Sequence, residues 1–167
     1  MIKKTVEKAI NDQITQEIYS AYLYLSMSAY CESVNLSGLA HWMRIQFDEE
    51  TAHALRLFDF LINRGGRVSL QAIGKPPADF ASPLEIFQQA LQHEKKVTAM
   101  IEKLYETAAK ENDYATQVEL QWFISEQVEE EKSASAIVEQ LKLVGKDNAA
   151  MLMLDRELAA RTIETSK

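Results

Sequence analysis

Apolar residues recur every three to four positions through four long segments of the chain, the spacing of helices that bury one face. The pattern predicts helices over about residues 3–32, 38–64, 83–111 and 114–144, and a shorter fifth over about 148–161. Local signals mark their ends. Ser37 reads as an N-cap for the second helix and Gly65 as the residue just past its end. Ser82-Pro83-Leu84-Glu85 sets a capping Ser before Pro at the first helical position, with Glu at the third. Asn112-Asp113 breaks the third segment from the fourth, Gly145 ends the fourth, and the fifth follows Asp147.

Connection lengths give the topology. A few residues join the first helix to the second and the third to the fourth, so each pair is antiparallel. Gly66 to Ala81, containing Gly74, Pro76 and Pro77, separates the second from the third. A stretch of this length spans about 50 Å when extended, enough to run along a helix about 40 Å long. It reads as a crossover that makes the second and third helices parallel. The fold class is all-α: one domain over 1–167, a four-helix bundle with a long crossover and a short C-terminal helix.

Each apolar stripe is interrupted by polar residues near its middle. Glu17 shares the face of Ile10, Ile14, Ala21 and Tyr24. Glu50 sits at the centre of the stripe formed by Leu39, Met43, Phe47, Ala54, Leu57 and Leu61, with His53 one turn on. Phe87, Leu91, Thr98, Ile101 and Tyr105 flank Glu94. Leu120, Phe123, Ile124, Ala134, Val138 and Leu141 flank Gln127 and Glu130. One such Glu is an ordinary boundary residue; four helices doing this at matching depth bring like charges together in a core. Burying them without a counter-ion costs several kcal/mol each, on the order given for isolated buried ions. A multivalent cation is the simplest source of compensating charge.

Composition agrees with that chemistry. There are 25 acidic and 18 basic residues in a chain of 167, net −7, a balance that repels nucleic-acid backbones and attracts cations. No segment has the length or apolarity of a signal peptide or membrane span. A single cysteine, Cys31, leaves no intrachain disulfide. These features point to a cytoplasmic protein without membrane or nucleic-acid partners.

Carboxylates with one imidazole suit iron, manganese or zinc, and the lack of thiolate ligands argues against a structural zinc site. Glu50 and His53 form Glu-x-x-His, which places both on one face. The fourth helix offers Gln127-x-x-Glu130 where a symmetric di-metal bundle would repeat Glu-x-x-His. One metal then has Glu17, Glu50 and His53; the other has a poorer set of Glu50, Glu94 and Glu130. A weak second site favours turnover of metal over permanent retention.

Glu17, Tyr24, Glu50, His53, Glu94 and Gln127, with Glu130 beside them, resemble the ferroxidase centre of the non-haem bacterial ferritin family. The resemblance covers nearly the whole chain, including the crossover and the fifth helix. It implies a ferritin-like bundle that assembles with itself into a hollow cage of twenty-four subunits. It implies oxidation of two Fe(II) ions by O₂ or hydrogen peroxide and storage of Fe(III) as a mineral. It further implies that Glu50 bridges the irons and that Tyr24 hydrogen-bonds to Glu94. Glu49, Glu126 and Glu129 resemble the ligands of a third iron site. The His and Met that bacterioferritin places at Glu130 and near Ala52 are replaced here, so no haem is expected.

Two other classes compete. A rubrerythrin-like di-iron peroxidase would carry a second Glu-x-x-His and a Cys-rich domain; a metal-free binding bundle leaves the core carboxylates unexplained. The remaining candidates have plainer readings. His41 and His93 lie off the stripes and read as surface groups. Trp122 reads as a packing residue or an electron donor. Glu129-Glu130-Glu131 reads equally as a solvated run. Met151 to Leu154 make the fifth helix a surface for other subunits.

Overall fold

The computed structural model describes residues 2–162; Met1 and 163–167, the ends of the expected unit over 1–167, lie outside the described residues. Five helices follow in order: α1 (Lys4–Ser33), α2 (Ser37–Asn63), α3 (Pro83–Lys110), α4 (Tyr114–Val144) and α5 (Asn148–Leu158). No strand occurs among the described residues. The chain between α2 and α3 is irregular, as its Gly and Pro content predicts. Tyr24 meets Glu94, Ser20 meets His93, and Val6 and Ile10 share a core with Ile101 and Leu104, so α3 runs antiparallel to α1 and parallel to α2.

The caps explain where helices begin and end. Ser82 Oγ accepts from Glu85 N at 3.1 Å, and the Glu85 carboxylate accepts from Ala81 N. Asp113 caps α4 through Thr116 N at 3.1 Å, and Asp147 caps α5 through Ala149 N and Ala150 N. Gly65, at φ +71°, turns the chain out of α2, with Gly66 N bonded to Leu61 O at 3.0 Å. The α2 start corrects the sequence reading. Ser37 is the first helical residue and its hydroxyl caps nothing; the amide of Leu39 is instead bound by Asp155 Oδ1 of α5, at 2.9 Å. A carboxylate from 116 positions along the chain does the work of a local hydroxyl. Its approach requires Gly38: a Cβ there would stand 1.7 Å from the carbonyl oxygen of Asp155.

The core has two apolar ends separated by a polar layer. One end gathers Leu23, Met27, Met43, Phe87 and Leu141; the other gathers Ile10, Ile14, Leu57, Ile101 and Phe123. Leu154 and Leu158 of α5 join the first cluster. The expectation that α5 gives its apolar face to other subunits is therefore corrected in part: that face is split. Leu154 and Leu158 pack within the chain because Asp155 and Gly38 bring α5 against α2, whereas Leu152 and Met153 stay 53% and 72% exposed. Ile124, placed in the α4 stripe from its spacing, lies at the edge of that stripe and is exposed.

Candidate metal centre

The polar layer lies midway along the bundle, where each of the four long helices contributes at least one side chain. Glu17 comes from α1, Glu50 and His53 from α2, Glu94 from α3, and Gln127 and Glu130 from α4; all six are buried. Ligand atoms of Glu17, Glu50 and His53 lie within 4.8 Å of one another, as do those of His53, Glu126 and Glu130. His53 is common to both groups, and its Nδ1 lies 3.5 Å from Glu50 Oε2. The i, i+3 spacing on α2 turns both side chains to one face, as the Glu-x-x-His pattern requires.

The carboxylates are supported unevenly. Glu17 Oε1 accepts from Gln13 Nε2 at 2.7 Å. Glu94 accepts from the Tyr24 hydroxyl and, at 3.2 Å, from Gln127 Nε2. Glu130 Oε2 accepts from Gln46 Nε2 at 2.8 Å. Both oxygens of Glu50 and Oε2 of Glu17 are buried and receive no hydrogen bond. Buried polar atoms are ordinarily satisfied, and these three oxygens face the same space.

Electrostatics point the same way. Burial, reinforced by Glu94, Glu17 and Glu130, raises the Glu50 carboxyl well above the usual range. Burial also raises Glu17, takes Glu94 to about 7, and takes Glu130 to about 8 with help from Glu94 and Glu49. Tyr24, buried beside Glu94, is pushed well above its ordinary phenol value and stays a proton donor. Burial and then Arg56 lower His53 to about 4, so near neutral pH its ring is uncharged and keeps a lone pair for a metal. Trp122 and Phe123 set their edges against that ring, at 5.3 and 5.9 Å between centroids, and fix its plane. A cation in the layer would supply the missing partner for the Glu50 oxygens and relieve the repulsion among four carboxyls.

The three flanking acids take different positions. Glu126 joins His53 and Glu130. Glu49 pairs with Arg161 at 2.7 Å. Glu129 is exposed and pairs with Lys132 at 3.2 Å. Among the described residues these three do not make one metal-holding group. His41 is exposed and bonds the carbonyl of Arg161, in keeping with a surface group. His93 corrects its surface reading: it is buried, with Nε2 2.7 Å from Ser20 Oγ and its ring beside Tyr19. Spacing alone misses it because the neighbouring α1, not the α3 stripe, covers it.

Sequence reasoning also missed Gln13 and Gln46. Both precede a site Glu by four residues, so the same face carries each pair. That spacing was the available signal for Gln13. Gln46 bonds across to α4, and its role appears only once the helices are packed.

Fold and site together define a four-helix carboxylate bundle with a metal-capable polar layer. Residues 7–144 match the ferritin family, described as a ferritin-like domain. A bacterial non-heme ferritin from Bacteroides fragilis (strain 638R) is 42% identical over 161 residues, covering 96% of this chain and 100% of that protein. One from Staphylococcus aureus (strain USA300) is 35% identical over 164 residues, covering 98% and 99%. An open-pore ferritin from the hyperthermophilic archaeon Archaeoglobus fulgidus superposes with a TM-score of 0.96 at 50% identity, covering 97% of this chain and 100% of that one. The chain belongs to the ferritin family.

Proposed function

We propose that the protein stores and detoxifies iron: it oxidises Fe(II) at the buried layer and holds Fe(III) as a mineral inside a hollow cage of twenty-four copies. The observation that carries this reading is the pair of buried Glu50 oxygens that receive no hydrogen bond, grouped with Glu17 and His53 and lying within the field of Glu94 and Glu130. Iron is the substrate. Two Fe(II) each give up one electron; O₂ takes both with two protons and leaves as hydrogen peroxide, which takes two electrons from a second pair of Fe(II) with two more protons and becomes two waters.

The side chains divide the work. Glu17, Glu50 and His53 bind one Fe(II), with Glu50 shared between both ions. Glu94, Glu130 and Gln127 offer the second ion an amide in place of the imidazole, a weaker donor, and hold it less tightly, so the product can leave. The Tyr24 hydroxyl keeps one Glu94 oxygen engaged and orients the other. The buried apolar ends exclude water from either side of the layer. Glu49, Glu126 and Glu129 form the outer route on which iron passes between the centre and the cavity. Gln127-x-x-Glu130, in place of a second Glu-x-x-His, favours this over a peroxidase that retains both metals.

Self-assembly buries the apolar surface that one chain leaves open, including Leu152 and Met153. Among the described residues no helix is long and apolar enough to cross a membrane. A reducing cytoplasm fits the single buried thiol of Cys31. The test is stopped-flow oxidation of Fe(II) in air, with particle mass measured on the same sample. His53→Ala and Glu50→Ala should each abolish the fast phase while particle size and helix content stay unchanged. Wild-type rates in both variants, or a mass of one or two chains, would overturn the reading.

A further inference from the structure

Arg161 lies just beyond α5, yet it reaches the outer edge of the polar layer. Its Nη2 donates to Glu49 Oε2 at 2.7 Å. Its guanidinium carbon stands 4.4 Å from the centre of the Trp42 ring, and Nη1 points to the Trp42 carbonyl at 3.5 Å. Its own carbonyl bonds His41 Nε2 at 2.8 Å. Four contacts to α2 hold one side chain and its backbone, so the pair is built, unlike a loose surface bridge. Glu49 and Arg161 also act on Glu130 with opposite sign, which places both within the field of the carboxylates. Glu49 directly precedes Glu50, whose oxygens face the metal layer.

We propose that Arg161 is a built-in counter-ion at the outer cation position, which an incoming divalent ion must displace from Glu49. The inference rests on the iron-handling reading above and adds a competitor to it. A fixed guanidinium satisfies Glu49 when no metal is present. It thereby lowers the affinity of the outer position relative to the inner pair, because a cation there must break a charge-assisted hydrogen bond and sit near a positive group. Iron would then fill Glu17, Glu50 and His53 before it collects outside. Displacement also frees the guanidinium from its fixed place over Trp42, which couples outer-site occupancy to the anchoring of the segment after α5.

The test uses the assembled protein and Zn(II), which binds without redox change. Calorimetric titration of the wild type should give tight steps and a weaker one. Arg161→Gln should tighten the weak step by about fivefold, the scale of one partly exposed ion pair, and leave alone the tightest step, at Glu17, Glu50 and His53. In a Glu49→Gln background the same change should do nothing. A second measurement leaves Arg161 intact: the part of the tryptophan emission that Trp42→Phe abolishes should, in the wild type, shift with the weak Zn(II) step and not with the tight ones. A weak step unmoved in Arg161→Gln, or Trp42 emission that follows the tight steps, would overturn the role of Arg161. Failure of the iron-handling reading looks different: tight steps that survive both Glu50→Ala and His53→Ala.

Discussion

The Tyr24 hydroxyl on α1 donates a hydrogen bond to Glu94 Oε1 on α3, linking the two helices through the polar layer. The bond lowers the Glu94 carboxyl against the larger effect of burial. Tyr24→Phe keeps the ring and removes the donor. Glu94 should then protonate at higher pH and bind its ion less well. Loss of a hydrogen bond to a buried carboxylate costs about 1–3 kcal/mol. The expected outcome is slower Fe(II) oxidation with the first binding step unchanged, checked by stopped-flow rates beside anaerobic Fe(II) titration.

Glu50 carries much of the cost of gathering carboxyls in the polar layer. Its two buried oxygens receive no hydrogen bond, and three carboxyls repel its charge. Glu50→Gln removes that charge at nearly constant volume. Metal-free Glu50→Gln should melt at or above the metal-free wild type, whereas Zn(II) should raise the wild-type midpoint far more than the variant's. Thermal unfolding with and without Zn(II) decides it; a metal-free variant less stable by more than about 2 kcal/mol, the range of ordinary core polar losses, would contradict this account.

Acid and base limits of stability should have different owners. Glu94 at about 7 and Glu130 at about 8 bind protons in the folded state that the unfolded chain has released. Their contribution is full below the unfolded value near 4.5 and is lost as pH rises through about 7 to 8. Metal-free protein should therefore weaken between pH 5 and 8.5, by at least about 2 kcal/mol. His93, held neutral by burial and lowered to about 4, acts oppositely: its contribution falls as pH drops from 6.5 towards 4. Denaturant unfolding at several pH values tests both limbs, and His93→Gln should flatten part of the acid one, which His53, also lowered to about 4, shares. Zn(II) binding in weak buffer should release more protons at pH 6.5 than at pH 8.5.

Glu126 and Glu129 should separate under mutation. Glu126 stands with His53 and Glu130, whereas Glu129 is exposed beside Lys132. Glu126→Ala should change the number of Fe(II) oxidised per O₂ and slow recovery of the centre between additions. Glu129→Ala should shift both much less. Oxygen uptake over repeated Fe(II) additions makes the comparison. Equal effects would mean that iron on its outer route uses the exposed face of α4 as much as its buried edge.

Much of this protein is written in local order. Helix period and the Ser82, Asp113 and Asp147 caps place the long elements, because both depend on contacts within one turn. Glu17, Glu50, His53, Glu94 and Gln127 stand out because a strongly polar group inside an apolar stripe is costly wherever the helix goes. What needs two distant segments is invisible to such reasoning. Ser37 reads as a cap until Asp155 arrives from α5 and takes the amide of Leu39. His93 reads as surface until Ser20 and Tyr19 of α1 cover it. Glu49 reads as resembling a ligand of a third iron site, and only the packing brings Arg161, 112 residues away, onto it. Periodicity reports which face of a helix avoids water; which side chain fills the gap between two helices is decided only when they pack.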